Sequence, residues 1–245
     1  MTIYRPGQRL YYPSSPGVRV VQPGGAAIPW YLSGGIAAAN CIAAYTPKGS
    51  SSLAASYDNN AAPGNGLADG TYDAALGVAP TWDAATGWSF DGSQVLNTGV
   101  EPAASGYAIA VRVSGVPNAA AFRVVMGQRR GGSGVDGLMV RCNNGVSAHG
   151  YIYQAYVSVA AYVASGVYVI SGNGGYLDGL AETEALVGTG LNAIPIAIGA
   201  NNQPSADYGW TPGEYAVANV QAAAIYNVTL TAPQVAAVSA AMAAL

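Results

Sequence analysis

Charged residues are scarce in this chain of 245 residues, which has nine basic and twelve acidic side chains. They make up 9% of the sequence, whereas an average soluble domain has roughly 25%. A nucleic-acid-binding protein needs a basic surface to meet phosphates, so the net charge of −3 argues against that class. A monomer normally covers itself with charge. The deficit therefore predicts a surface that meets other protein or is coated with small polar residues.

A long apolar run is also missing. A membrane-spanning helix needs about 20 consecutive apolar residues, and the best candidate, residues 155–170, is interrupted by Ser158, Ser165 and Gly166. The first ten residues, MTIYRPGQRL, contain no apolar segment after a positive one, so no secretory signal is visible. The sequence predicts no membrane insertion.

Residues for metal and nucleophilic chemistry are few. A single histidine, His149, excludes a His-rich metal centre, and no Gly-x-Ser-x-Gly elbow accompanies it to suggest a serine triad. Cys41 and Cys142 are interpreted as two buried thiols, with a disulfide as the alternative.

Paired carboxylates are not evident either. Retaining glycoside hydrolysis needs two carboxyl groups about 5–5.5 Å apart, and alternating acidic residues on one strand would provide them. The nearest candidates, Glu182 and Glu184, follow the Asp178-Gly179 turn and are interpreted as a solvated hairpin. The sequence therefore predicts that the protein is not an enzyme, with a glycosidase using Glu182 as a remote alternative.

From residue 94 onward the apolar residues recur with a period of two, which is typical of strands. Ile109, Val111 and Val113, for example, alternate with the smaller Ala108 and Ala110. The pattern predicts further strands over 151–163, 166–171, 174–178 and 215–226, with Gly- and Asn-rich turns between many of them. The prediction is an all-β, antiparallel two-sheet jelly-roll sandwich.

The two ends of the chain differ from this pattern. Thr231-Ala232-Pro233-Gln234 has the form of a capping box, and Val235, Val238 and Met242 then share one helical stripe, which predicts one short C-terminal helix. Residues 1–35 contain five prolines and are predicted to form an extended arm. The sandwich domain is predicted over 36–245.

The arm offers aromatic anchors that a solvated leader would lack. We predict that it docks on a neighbouring subunit, with a disordered leader as the alternative. These predicted anchors are Tyr4, Tyr11, Tyr12, Trp30 and Tyr31.

Two other places suggest binding. Arg129 and Arg130 lie in a Gly-rich loop without a Walker lysine, and the loop is either a flexible hairpin or a contact for an anion or acidic partner. Tyr208 and Trp210 lie in a Pro/Gly-containing segment and are candidate glycan-stacking residues. Further candidate surface aromatics are Tyr151, Tyr153 and Tyr156.

No cofactor is predicted. Calcium remains an open alternative, because the cation takes six to eight oxygen ligands and an oxygen-rich stretch exists without a fixed ligand spacing. Its candidate ligands are Asp58, Asn59, Asn60, Asp69 and Asp73.

Several short motifs, in order, resemble the laminin-G-like (concanavalin A-like) jelly-roll family over residues 36–245. They are Ala43-Ala44-Tyr45, Trp88-Ser89-Phe90-Asp91-Gly92, Tyr176-Leu177-Asp178-Gly179, Ile198-Gly199 and Ile225-Tyr226-Asn227. The segment from Ala38 to Phe90 looks more particularly like laminin-G-like proteins of tailed bacteriophages and prophages.

The phage resemblance implies a structural protein on a virion surface, such as a capsid decoration or a tail or fibre component. Its expected partners are copies of itself or other virion proteins. The alternative is a carbohydrate-binding, lectin-like module at an extracellular or cell surface, because the same fold hosts lectins, enzymes and structural modules.

Overall fold

The computed structural model describes residues 27–61, 75–102, 106–118, 121–129, 137–144, 150–153, 155–158, 162–172, 174–182, 191, 193–203 and 211–245. Helices are short in these ranges. They are two 3₁₀ helices (Trp30–Leu32 and Ala38–Asn40), the one-turn helix α1 (Leu53–Ser56) and the C-terminal helix α2 (Ala232–Ala243). None of the described helices is long and apolar enough to cross a membrane.

Strands make up most of the described structure. In chain order they are β1 (Cys41–Tyr45), β2 (Ala75–Val78), β3 (Thr81–Asp83), β4 (Gly87–Asp91), β5 (Val95–Asn97), β6 (Ala108–Ser114), β7 (Phe122–Arg129), β8 (Gly137–Asn144), β9 (Gly150–Tyr153), β10 (Ala155–Ser158), β11 (Gly166–Ser171), β12 (Gly174–Leu177), β13 (Leu180–Ala181), β14 (Ala197–Ile198), β15 (Asn201–Asn202), β16 (Pro212–Gly213) and β17 (Val217–Tyr226).

The strands form two packed sheets. The first has the order β13-β12-β11-β6-β17-β4-β3, with β1 also paired to β17. The second has the order β10-β9-β8-β7-β14-β5-β2, with β15 paired to β7 and to β16. The described strand pairs are antiparallel except for β15 with β7. The predicted two-sheet all-β sandwich is thereby confirmed.

The larger face of each strand points to the core between the sheets. In β6, Ile109, Val111 and Val113 belong to the core, whereas Ala108 and Ala110 face the other side. The second sheet contributes Met126 and Leu138 among others. Burial of this apolar surface is the main stabilising term, at roughly 25 cal/mol per Å².

Helix α2 covers the outer face of the first sheet. Val235, Val238 and Met242 are fully buried there against small residues of the sheet, as the helical stripe predicts. The backbone N–H of Thr231 donates to Oε1 of Gln234 over 2.9 Å, which forms half of the predicted capping box. At the other end, Nη1 of Arg112 donates to the carbonyl oxygen of Met242 over 2.7 Å.

Some element boundaries differ from the prediction. The strand predicted over 151–163 is two paired strands, β9 and β10. In the alternating run around Pro195 only Ala197–Ile198 forms a strand, because proline has no N–H to donate to a ladder. Cys41 and Cys142 are both buried and form no disulfide, which confirms the interpretation as two thiols.

Candidate functional site

Three arginines lie on one pair of neighbouring strands in the second sheet. Arg123 and Arg129 belong to β7, and Arg141 belongs to β8. Leu138 and Val140 face the core, and side chains alternate along a strand. Arg141 therefore points to the outer face of the second sheet. These arginines are three of the nine basic residues of the chain.

Strands β15 and β16 bring a second group of polar side chains to the same place. β15 pairs with β7, and β16 pairs with β15. The backbone N–H of Val124 donates to the carbonyl oxygen of Glu214 over 2.8 Å, and Val124 is also the cross-strand partner of Arg141. These backbone contacts place Glu214 beside Arg141.

A chain of side-chain contacts connects the two groups. Nη2 of Arg129 and Nδ2 of Asn201 both donate to Oε1 of Gln203 over 3.2 Å. Nδ2 of Asn201 also lies 3.4 Å from Oε2 of Glu214, and Oε1 of Glu214 lies 3.4 Å from Nη2 of Arg141. We call Arg129, Gln203, Asn201, Glu214 and Arg141 the β7 network.

Asn201 is the buried centre of the β7 network, with no exposed surface. Its amide nitrogen must face Gln203 and Glu214, because both of them present acceptor oxygens. Its Oδ1 is buried and has no hydrogen-bond partner. An unpaired buried polar atom costs about 1–3 kcal/mol, and such local costs are typical of functional sites.

Phe122 extends the β7 network with an aromatic surface. Its ring lies 4.7 Å from the guanidinium carbon of Arg141, which is a cation–π contact. The Phe122 side chain is nevertheless 51% exposed. The Phe122 ring is thus exposed to solvent beside polar groups, and the buried guanidinium group of Arg141 contacts it.

The backbone of Glu214 is strained. Its φ of 51° lies in the left-handed region, which costs a residue other than glycine about 1 kcal/mol or more. Asp178, in the Asp-Gly turn after β12, is the other non-glycine residue with positive φ within the described ranges. The conformation at Glu214 directs its carboxylate towards Asn201 and Arg141.

The three arginines of β7 and β8 have different described partners. Arg141 pairs with Glu214, and this is the ion pair found among the described residues. Arg129 donates to the neutral amide of Gln203, and Nη1 of Arg123 donates to the carbonyl oxygen of Tyr215 over 3.3 Å.

Two predicted partner-binding residues pack instead against their own domain. Nε1 of Trp30 donates to Oγ1 of Thr46 over 3.0 Å. Tyr31 is 9% exposed and belongs to the cluster beneath α2. The remaining predicted anchors, Tyr4, Tyr11 and Tyr12, lie outside the described residues. Tyr31 thus belongs to the buried cluster that α2 covers, and the half-buried Trp30 packs against that cluster. Their role as anchors for a neighbouring subunit stays a prediction.

Of the other predicted binding residues, Arg129 lies in the β7 network, whereas Arg130, Tyr208 and Trp210 lie outside the described residues. In sequence, Tyr208 and Trp210 fall between Gln203 and Thr211. The backbone N–H of Gln203 donates to the carbonyl oxygen of Thr211 over 3.0 Å. The structure thus brings both ends of the predicted glycan segment to the neighbourhood of Arg129, which the sequence assigned to a separate site.

Asn59, one of the predicted calcium ligands, has another role. Oδ1 of Asn59 accepts from the backbone N–H of Ala44, and its Nδ2 donates to the carbonyl oxygen of Ile42, both over 3.0 Å. Asn59 therefore completes the hydrogen bonds of β1. Asp69 and Asp73 lie outside the described residues, and the described ones contain no group of three or more His, Cys, Asp or Glu placed to hold a metal ion.

Glu182 accepts a hydrogen bond from the hydroxyl group of Tyr151 over 2.8 Å. Tyr151 is fully buried, and burial, followed by the nearby charge of Glu182, raises the pKa of its hydroxyl. Tyr151 is therefore a core residue rather than the predicted surface aromatic. Glu184, His149 and the side chains of Tyr153 and Tyr156 lie outside what the structure describes.

Most residues of the site could not be predicted from the sequence. The alternation of β8 places Arg141 opposite the core face, which is a usable signal. Nothing in the local sequence indicates that Glu214, after a Pro-Gly pair, reaches Arg141. The same holds for Gln203, whose partner Arg129 lies 74 residues away along the chain.

The fold is similar to that of known enzymes, although the sequence matches no family model and no curated protein. A Trypanosoma rangeli sialidase in complex with 2,3-difluoro-KDN aligns with 95% of this chain at a TM-score of 0.56 and 13% identity. The same sialidase in complex with sialic acid aligns with 92% of the chain at a TM-score of 0.54 and 13% identity. A domain of a GH43 extracellular arabinanase from Geobacillus stearothermophilus, in complex with arabinotriose, aligns with 82% of this chain and 98% of its own at a TM-score of 0.48 and 13% identity.

The similarity to the two sialidase structures shows a shared β-sandwich fold. The chain spans 36% and 35% of the two sialidase chains. The comparison overturns the prediction that the protein is not an enzyme, because the structures that share its fold are those of enzymes. It gives no support to the predicted phage origin or virion role.

Proposed function

We propose that this protein binds carbohydrate on the outer face of the second sheet, at the β7 network and Phe122. The observation that carries the proposal is the half-exposed Phe122 ring beside guanidinium, amide and carboxylate groups. Sugar rings offer an apolar face to an aromatic side chain, and their hydroxyl groups pair with the donors and acceptors that the network contains.

Two further points support carbohydrate binding. The sialidases that share the fold bind sugar ligands in their solved structures, including sialic acid. The predicted glycan residues Tyr208 and Trp210 belong to a segment whose ends, Gln203 and Thr211, lie in and beside the β7 network. We propose that these two aromatic residues add to the same binding surface.

The test is a glycan array probed with the full chain, followed by calorimetry on the sugars that bind. Phe122→Ala is expected to weaken binding at least tenfold. Leu180→Ala is the matched control, because Leu180 is also an exposed apolar residue, at 74%, but lies in the first sheet. The proposal fails if no sugar binds, or if Phe122→Ala binds the sugar as tightly as the unmodified chain does.

A further inference from the structure

Two side-chain amides at the centre of the β7 network have their orientation fixed by their charged neighbours. Gln203 accepts through Oε1 from Nη2 of Arg129, because a guanidinium group can only donate. Asn201 donates from Nδ2 to Oε2 of Glu214, because a carboxylate can only accept. Nδ2 of Asn201 also donates to Oε1 of Gln203, so the contacts agree on one orientation for each amide.

These orientations leave one acceptor and one donor for a ligand. Oδ1 of Asn201 is buried and has no hydrogen-bond partner. The side-chain hydrogen bonds of Gln203 to described residues are both made by Oε1, so Nε2 is the remaining donor. An amide pair can form two reciprocal hydrogen bonds, and here only the one from Asn201 to Gln203 is formed. One hydroxyl group between Nε2 and Oδ1 would close the ring, because a hydroxyl group both accepts and donates.

Gly213 leaves space on the solvent side of this amide pair. It is the cross-strand partner of Asn201, and a Cβ atom at position 213 would lie 2.7 Å from Nε2 of Gln203. Asn201 is fully buried, whereas Gln203 and Gly213 are half-buried. The two bonds to Oε1 of Gln203 measure 3.2 Å, which is the long end of the usual range. A small shift of the Gln203 side chain towards solvent therefore exposes Oδ1 of Asn201 to a ligand.

We propose that Asn201 and Gln203 together bind one hydroxyl group of the sugar, which donates to Oδ1 of Asn201 and accepts from Nε2 of Gln203. The inference rests on the proposed function and specifies the ligand class of the same site, a sugar with a free hydroxyl group at one defined ring position. An ether, ester or sulfate at that position has no hydrogen to donate. It would leave the buried Oδ1 unpaired, which is unfavourable.

The experiment measures the affinity of the full chain for the methyl glycosides of galactose, glucose, mannose, arabinose and sialic acid, each with its monodeoxy and monodeoxyfluoro analogues. At one ring position, both replacements are expected to weaken binding about tenfold, because a site built around a hydroxyl group rejects an analogue that lacks it. Fluorine is expected to restore no affinity, because it has no hydrogen to donate to Oδ1 of Asn201.

Gln203→Glu separates recognition from folding. Its carboxylate still accepts from Arg129 and from Nδ2 of Asn201 but replaces the donor Nε2 with an acceptor. The variant is expected to have a Tm no lower than that of the unmodified chain and to bind the parent sugar at least fivefold more weakly. The loss caused by removing the hydroxyl group is expected to fall from about tenfold to about twofold, because the two changes remove the same interaction.

In Asn201→Ala, the loss caused by removing the hydroxyl group is expected to disappear. Asn227→Ala is the matched control, because Asn227 is an exposed amide that follows β17 in the first sheet. It is expected to leave both the affinity and the loss unchanged.

Two results would overturn the inference but leave carbohydrate binding intact. One is a sugar whose deoxy analogues lose the same affinity in the unmodified chain, Gln203→Glu and Asn201→Ala. The other is a bound sugar with no position at which both the deoxy and the fluoro analogue bind more weakly. Absence of binding to any sugar of the glycan array and of this panel would overturn both the inference and the proposed function.

Discussion

The guanidinium carbon of Arg141 lies 4.7 Å from the centre of the Phe122 ring, so a buried cation on β8 supports an exposed ring on β7. The contact fixes the ring with one face towards the sheet. It links the interior of the β7 network to the surface that we assign to sugar binding.

This contact is expected to contribute measurably to stability. In a double-mutant cycle of Phe122→Leu and Arg141→Gln, the coupling energy is expected to be about 0.5–2 kcal/mol, because a cation–π contact is lost in either variant. Chemical denaturation of the four proteins measures it. A coupling energy indistinguishable from zero would show that ring and cation are neighbours without a favourable interaction.

The backbone strain at Glu214 predicts a difference between two small replacements. Glu214→Gly is expected to be more stable than Glu214→Ala by about 1 kcal/mol, because glycine adopts a φ of 51° without the penalty that a Cβ atom brings. Both variants lose the carboxylate, so both are expected to weaken sugar binding similarly. Equal free energies of unfolding for the two variants would contradict the strain that we describe.

Two glycines with the same backbone conformation differ in the space around them. Comparing them separates the cost of a packing conflict from the cost of a strained φ angle. Gly199 and Gly49 both have a φ of +83°, but a Cβ atom at Gly199 would lie 2.1 Å from Cε1 of Phe90, whereas one at Gly49 would meet nothing within 4 Å. Gly49→Ala is expected to cost about 1 kcal/mol. Gly199→Ala is expected to cost about 1–3 kcal/mol more, because the core must shift.

Urea denaturation of both glycine variants measures these costs against the unmodified chain. Similar losses in the free energy of unfolding for Gly49→Ala and Gly199→Ala would contradict the close packing of Phe90 against Gly199.

Buried tyrosines predict a loss of stability at high pH. Burial raises the hydroxyl pKa of Tyr151, Tyr168 and Tyr226 above the ordinary value of 10.0. Their neutral forms therefore contribute stability that is complete below pH 10 and is lost as the pH rises, because the unfolded chain then releases protons that the folded chain keeps.

The loss is expected to approach about 1.4 kcal/mol per pH unit for each of these tyrosines above pH 10. Thermal unfolding between pH 8 and 11 measures the stability, and absorbance of tyrosinate measures how many tyrosines ionise in the folded chain. A melting temperature that stays constant up to pH 11 would contradict the prediction.

The sequence by itself determined the secondary structure that local rules control. A period of two along β6 and β11 requires one face to be buried, and the Thr-x-x-Gln pattern before Val235 begins a helix. These signals act over a few residues, so the sandwich class and the C-terminal helix follow from them.

Only the tertiary structure decided which distant residues meet. Asn59 looks like a loop residue with a free oxygen, yet it completes the hydrogen bonds of β1. Trp30 and Tyr31 look like anchors for another subunit, yet they pack within their own domain. Glu214 reaches Arg141 because β15 and β16 fold back on β7. Such contacts depend on strand order and register, which side-chain periodicity does not encode, and most contacts of the candidate site are of this kind.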